Sequence, residues 1–239
     1  MHTSNYVYHH HDLELHGYLA FNDEISKPRP AILVFHDWTG RNEFACDKAR
    51  ALAEMGYIGF AVDMYGEARQ GKTLEEKKGL MEPLINDRRL LRERVQAGLD
   101  AVKTMAEVDI NRIAAIGFCF GGLCALDLAR SGASIAGVVS FHGLLNKPDV
   151  LPKETIKAKV LVLHGYDDPM VPPGQVKEFC QEMTEAGVDW QVHMYGHTKH
   201  AFTNPKAHDE ELGTVYDARQ ARRAWVAMSD FLKELFESR

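Results

Sequence analysis

The stretch Gly117-Phe118-Cys119-Phe120-Gly121-Gly122 sets one cysteine two residues from a glycine on either side. An apolar, β-rich run from Ile113 to Ile116 enters it, and a helix-compatible run from Leu123 to Arg130 leaves it. This is the pattern of a nucleophile held at the top of a strand-to-helix turn, in a left-handed backbone conformation. Strand and helix can approach there only where no Cβ intervenes, which Gly117 and Gly121 satisfy. The helix that follows aims its free N–H groups and positive dipole end at the sulfur, which favours thiolate. The competing reading is a small buried cysteine that merely allows close packing.

Two further groups complete a reactive set. Asp168 lies in Gly165-Tyr166-Asp167-Asp168-Pro169, after the apolar run Lys159 to Leu163, and His200 follows the run Trp190 to Tyr195. Nucleophile, acid and histidine thus occur in that order, each just beyond a predicted strand. An imidazole can take the thiol proton, and a carboxylate can fix the imidazole's tautomer. Asp167 competes with Asp168 for the last role, and His193 and His197 compete with His200. A polar loop, His36-Asp37-Trp38-Thr39-Gly40-Arg41-Asn42, follows the buried run Ala31 to Phe35. It can supply a second oxyanion donor, the backbone N–H of Trp38, beside that of Phe120. Asp37 could accept a hydrogen bond from the thiol, hold a cation, or stabilise its own turn. Tyr65 and Tyr166, with Trp38, are candidates to line the substrate pocket.

The elements that must position these groups alternate along the chain. Tyr6–Tyr8 and Leu13–Leu19 read as an antiparallel hairpin at a sheet edge. Strands are predicted over Ala31–Phe35, Tyr57–Asp63, Ile113–Ile116, Ile135–Phe141, Lys159–Leu163 and Trp190–Tyr195. Helices are predicted over Glu43–Met55, Gln175–Ala186 and Asp217–Glu237, with two more in the charged stretch Leu74–Met105, interrupted by Gly79 and Pro83. The arginines of that stretch (Arg88, Arg89, Arg92 and Arg94) read as a solvated face. The whole is a mostly parallel, doubly wound α/β sheet covered on both faces, in one domain spanning residues 1–239.

Composition narrows the function. With 45% hydrophobic residues among 239 the chain can bury a large core, and its net charge of −6 includes no basic tract suited to a phosphate backbone. Nucleic acid is therefore not an expected partner. Cys46, Cys119, Cys124 and Cys180 form neither CxxC nor zinc spacing, so no disulfide framework and no metal are expected. His9-His10-His11 alternate in direction along a strand, so the three cannot converge on one ion. Met1-His2-Thr3-Ser4-Asn5 has no leader character and no run is long enough for a bilayer, which points to a cytoplasmic protein.

Taken together, these residues resemble the dienelactone hydrolase family, cysteine members of the α/β-hydrolase superfamily. Gly117 to Gly122 matches its cysteine elbow, Gly165 to Pro169 its acid loop, and Tyr195 to Phe202 its histidine loop. The resemblance implies an α/β-hydrolase fold with N-terminal antiparallel strands and a minimal cap. It implies Cys119 as nucleophile, His200 as base and then acid, and Asp168, directly before proline, as the orienting carboxylate, with no cofactor. The family's founding enzymes carry glutamate where Asp37 stands, holding the resting thiol, and an arginine shortly after the histidine to grip a carboxylate. Here Asn204 falls near that position, and no arginine occurs from Ala201 to Asp217. Neutral or weakly charged esters and lactones are the expected substrates. Metagenomic phosphotriesterases of the same family share the cysteine triad, so phosphotriesters are the alternative. Readings from other classes are a thiol redox protein using Cys119 and Cys124, and a non-catalytic binding module. A monomer or homodimer is expected.

Overall fold

The structure is a computed structural model and describes residues 1–148, 151 and 154–237. Eight strands form one sheet: β1 (His2–His10), β2 (Leu13–Phe21), β3 (Arg29–Phe35), β4 (Ile58–Val62), β5 (Val108–Phe118), β6 (Gly137–Phe141), β7 (Lys159–Gly165) and β8 (Trp190–Tyr195). Their spatial order is β1-β2-β4-β3-β5-β6-β7-β8. The pairs β1/β2 and β2/β4 are antiparallel and every later pair is parallel. Every residue of β3, β4 and β6 is buried, as strands covered on both faces must be.

Alternation along β3 feeds two cores. Leu33 and Phe35 join Leu91, Leu126 and Val176 from α3 (Arg88–Lys103), α4 (Phe120–Arg130) and α5 (Pro173–Glu185) on one face. Ile32 and Val34 join Leu52 of α1 (Glu43–Glu54) and Phe231 of α6 (Ala218–Phe236) on the other. Among the described residues, no helix is long and apolar enough to cross a membrane.

Several elements differ from their sequence expectation. The edge strand β1 begins at His2, because an edge with solvent on one side needs no apolar residues to form. Neither Gly79 nor Pro83 breaks the charged stretch; α2 (Leu74–Asn86) carries both. The break falls at Asp87, whose carboxylate accepts from the N–H groups of Arg89 and Leu90 and so starts α3. Arg88 and Arg94 are buried rather than solvated. Arg88 forms a fork with Asp127, at 2.7 and 2.6 Å, and Arg130 binds both Asp127 and Glu182. Asp127 lies 39 residues from Arg88 and Glu182 lies 52 from Arg130, where linear spacing cannot reveal them. A two-stranded ribbon, β9 (His208–Asp209) with β10 (Thr214–Val215), is too short to read from pattern.

Candidate active site

Cys119 stands between β5 and α4 with φ 55° and ψ −117°, a conformation L-residues rarely adopt. Its N–H donates to Phe141 O at 3.0 Å, tying the turn to the neighbouring strand. Glycines make the approach possible. A Cβ on Gly117 would lie 1.8 Å from Gly121 O, and one on Gly121 would lie 2.1 Å from Phe35 O and 2.5 Å from His36 O. The start of α4 therefore presses directly on the end of β3. The N–H groups of Trp38 and Phe120 make no hydrogen bond among the described residues.

Asp168 and His200 meet at the same sheet edge. Asp168 Oδ2 accepts from His200 Nδ1 at 2.7 Å, with both side chains almost wholly buried. The other oxygen, Oδ1, accepts from Met170 N at 2.8 Å and Val171 N at 3.3 Å, so the carboxylate is fixed at both ends. Residue 200 is held by the ribbon: its N–H donates to Gly213 O and its carbonyl accepts from Val215 N. Burial works to lower the His200 pKa, but the negative charge of a Cys119 thiolate and the bond to Asp168 outweigh it and hold the imidazole well above its ordinary range. The nitrogen facing away from Asp168, Nε2, is buried and has no hydrogen-bond partner among the described residues. Cys119 and His200 line one cavity of about 680 Å³.

The competitors stand elsewhere. Asp167 is half exposed, 3.8 Å from the fully exposed His197, and His193 faces solvent on β8. Asp37 is buried in the cavity wall, and its Oδ1 accepts from Thr39 N at 2.8 Å, the turn-stabilising geometry. Among the described residues it makes no hydrogen bond to Cys119. Trp38 lines the cavity, but Tyr65 and Tyr166 do not. Tyr65 is only 3% exposed because its hydroxyl turns inward to donate to Trp38 O at 3.1 Å. Tyr166, at 52% exposed, looks out to solvent from the acid loop. Cys124 is fully buried on α4, and burial pushes its thiol far up, so it is poorly suited to resolve an oxidised Cys119.

Three buried histidines escaped the sequence reading. His36, His142 and His164 sit at the ends of β3, β6 and β7, and burial lowers the pKa of each. His164 Nε2 donates to Val171 O at 2.9 Å, bracing the acid loop. The His142 Nε2 pairs with Thr203 Oγ1 at 2.7 Å, and its ring lies 5.2 Å from that of His200. Their placement after strand ends was the available signal, obscured by the abundance of histidine.

Among the described residues, no arginine lines the cavity. Lys77 of α2 lies in its wall, with Nζ 5.5 Å from the Trp38 ring centroid, and Lys206, Asp37, Glu43 and Asp209 also contribute. Met81 of α2 and Leu212 beside the ribbon supply apolar wall, so these short pieces form the minimal cap. Away from the cavity, ligating atoms of His10, His11 and Glu93 lie within 4.8 Å of one another. Strand alternation does separate His9, but His11 turns with φ 52° and rejoins His10. Arg94 Nε–H donates to His10 Nδ1 at 3.2 Å, which puts the proton of the neutral ring on Nε2. That removes the lone pair an ion would need.

The model of the dienelactone hydrolase family matches residues 15–236. The structure called m3DLH superposes with a TM-score of 0.92 at 36% identity, covering 99% of each chain. The crystal structure of the dienelactone hydrolase-like promiscuous phosphotriesterase P91, from metagenomic libraries, gives 0.90 at 36% identity over 98% of each chain. An uncharacterized protein of Caenorhabditis elegans is 38% identical over 149 residues, 61% of this chain and 94% of its own.

Proposed function

The chain belongs to the dienelactone hydrolase family, and on that footing we propose that it hydrolyses small esters and lactones through a covalent thioester on Cys119. The observation carrying this reading is the buried Asp168–His200 pair at one cavity with a left-handed cysteine. His200 accepts the thiol proton and sulfur attacks the carbonyl carbon. The carbonyl electron pair moves onto oxygen, which the N–H groups of Trp38 and Phe120 receive. Collapse of this adduct breaks the C–O bond, and His200 protonates the departing alkoxide. A water then attacks the thioester while giving its proton to His200. Sulfur leaves, recovers the proton, and the acid is released.

Sulfur leaves more readily than an amine, so amides return to starting material while activated esters and lactones go forward. Among the described residues the cavity walls hold no arginine, which fits neutral or weakly charged substrates. The family setting and four free cysteines agree with a reducing, cytoplasmic environment. Wild type and Cys119→Ala, assayed on p-nitrophenyl esters and neutral and anionic lactones, test the reading. Undiminished turnover by Cys119→Ala refutes the nucleophile, and a marked preference for anionic lactones refutes the substrate class.

Similarity to the metagenomic phosphotriesterase favours a second activity. The same donors can hold a P=O while sulfur displaces an aryloxide, leaving a phosphorylated Cys119 that water must cleave. Repeated turnover of an aryl dialkyl phosphate is expected; release of one equivalent of phenol followed by permanent inactivation rules this activity out.

A further inference from the structure

Building on the proposed thioester mechanism, we infer that His36 and Tyr65 are positioning residues that orient the Trp38 N–H toward the oxyanion. Neither lines the cavity: His36 is fully buried and Tyr65 nearly so. Both act on the main chain of the donor loop.

The His36 ring lies between two backbone groups whose hydrogen-bonding roles are fixed. Nδ1 is 2.5 Å from Asp37 O and must donate, and Nε2 is 3.2 Å from Met64 N and must accept. One tautomer satisfies both contacts, and burial keeps the ring neutral. Asp37 C=O and Trp38 N–H belong to one planar trans peptide, where carbonyl and amide point in opposite directions. A donor that fixes the carbonyl therefore fixes the direction of the N–H. The next carbonyl, Trp38 O, accepts from the Tyr65 hydroxyl at 3.1 Å. With two consecutive carbonyls pinned, the intervening residue cannot rotate its amide away.

The same pair reaches the second donor. The Tyr65 ring stacks on Phe120, with centroids 5.9 Å apart at 22°, and His36 lies 4.7 Å from Tyr65 and 6.2 Å from Phe120. Tyr65 is itself anchored, because Asp63 Oδ1 accepts from Tyr65 N and Gly66 N, each at 3.0 Å. One aromatic cluster thus holds the donor loop and the start of α4 in a fixed relation.

Two rates on the same sulfur test the inference. Acylation of Cys119 by p-nitrophenyl butyrate develops an oxyanion; alkylation by iodoacetamide does not. Asparagine at position 36 retains a donor where Nδ1 stands, whereas glutamine reaches only the place of Nε2. We expect His36→Gln to lower acylation by about 100-fold and Tyr65→Phe by about tenfold, with alkylation within about twofold of wild type. His36→Asn should recover most of the loss. Equal losses in the asparagine and glutamine variants, unchanged acylation, or acylation and alkylation falling in parallel would overturn the assignment. Failure of the mechanism itself has a separate signature, ester turnover that survives Cys119→Ala.

Discussion

Replacing Asp168 with asparagine is a stringent test of the site because the structure fixes both ends of the carboxylate. Oδ2 receives the His200 Nδ1–H at 2.7 Å, and Oδ1 receives the N–H groups of Met170 and Val171. All the neighbours are donors, and an amide offers only one acceptor end. If its oxygen faces His200, its NH₂ meets two backbone N–H groups. If it turns over, the NH₂ meets His200 and drives the ring to the other tautomer, with its proton toward Cys119. A hydrogen bond to a charged group contributes about 1.5–3 kcal/mol, which at about 1.4 kcal/mol per decade is roughly 10- to 150-fold. Inversion of the tautomer carries the loss toward about 10⁴-fold. We therefore expect kcat for p-nitrophenyl butyrate to fall by at least about 100-fold, with KM changing little. Asp167→Asn, at an exposed position, should stay within about twofold. An Asp168→Asn enzyme with a third or more of wild-type kcat, beside a crippled Asp167→Asn, would refute the assignment.

Three other perturbations follow from the same geometry. The raised His200 pKa rests first on the charge of the Cys119 sulfur, whose own proton then stands on the imidazole. The native pair therefore holds more protons than an unfolded thiol and imidazole only once the unfolded thiol ionises, above about pH 8.5. This contribution to stability falls from there as pH rises through the native value. Cys119→Ala removes the strongest group raising that pKa, so the fall in urea midpoint between about pH 8.5 and about pH 10 should be smaller than in wild type; an unchanged fall argues against the coupling. Gly121→Ala puts a Cβ 2.1 Å from Phe35 O and 2.5 Å from His36 O, against backbone that has no rotamer to yield, and should cost about 3 kcal/mol or more, read as a drop of roughly 6–12 °C in Tm. Asp127→Ala leaves Arg88 and Arg130 without their shared buried carboxylate and should destabilise by about 3–5 kcal/mol, with KM of the remaining folded enzyme unaltered.

The sheet was legible because strands buried on both faces are written as continuous apolar runs, and residues that follow such runs gather at one edge. Cys119, Asp168 and His200 each follow a strand, and in the structure Cys119 and His200 line one cavity while Asp168 pairs with His200. Side-chain direction is written less locally. Tyr65 and Tyr166 both follow strands, yet Asp63 folds one inward while the acid loop turns the other to water. The burial of Arg88 depends on Asp127, 39 residues away, and no periodicity in α3 announces it. The ribbon holding residue 200 has two residues per strand, too few to generate a pattern.

The contact of Gly117 on Gly121, and of Gly121 on Phe35, is main chain against main chain. Such a joint has no rotamers, so its width cannot be retuned by exchanging one side chain for another. The walls that meet an incoming molecule come instead from separate short pieces, Met81 on one helix and Leu212 beside the ribbon, which can be altered without disturbing the hinge. Reaction and selectivity are therefore mechanically uncoupled: drift in the walls can exchange one leaving group for another while the sulfur keeps its station.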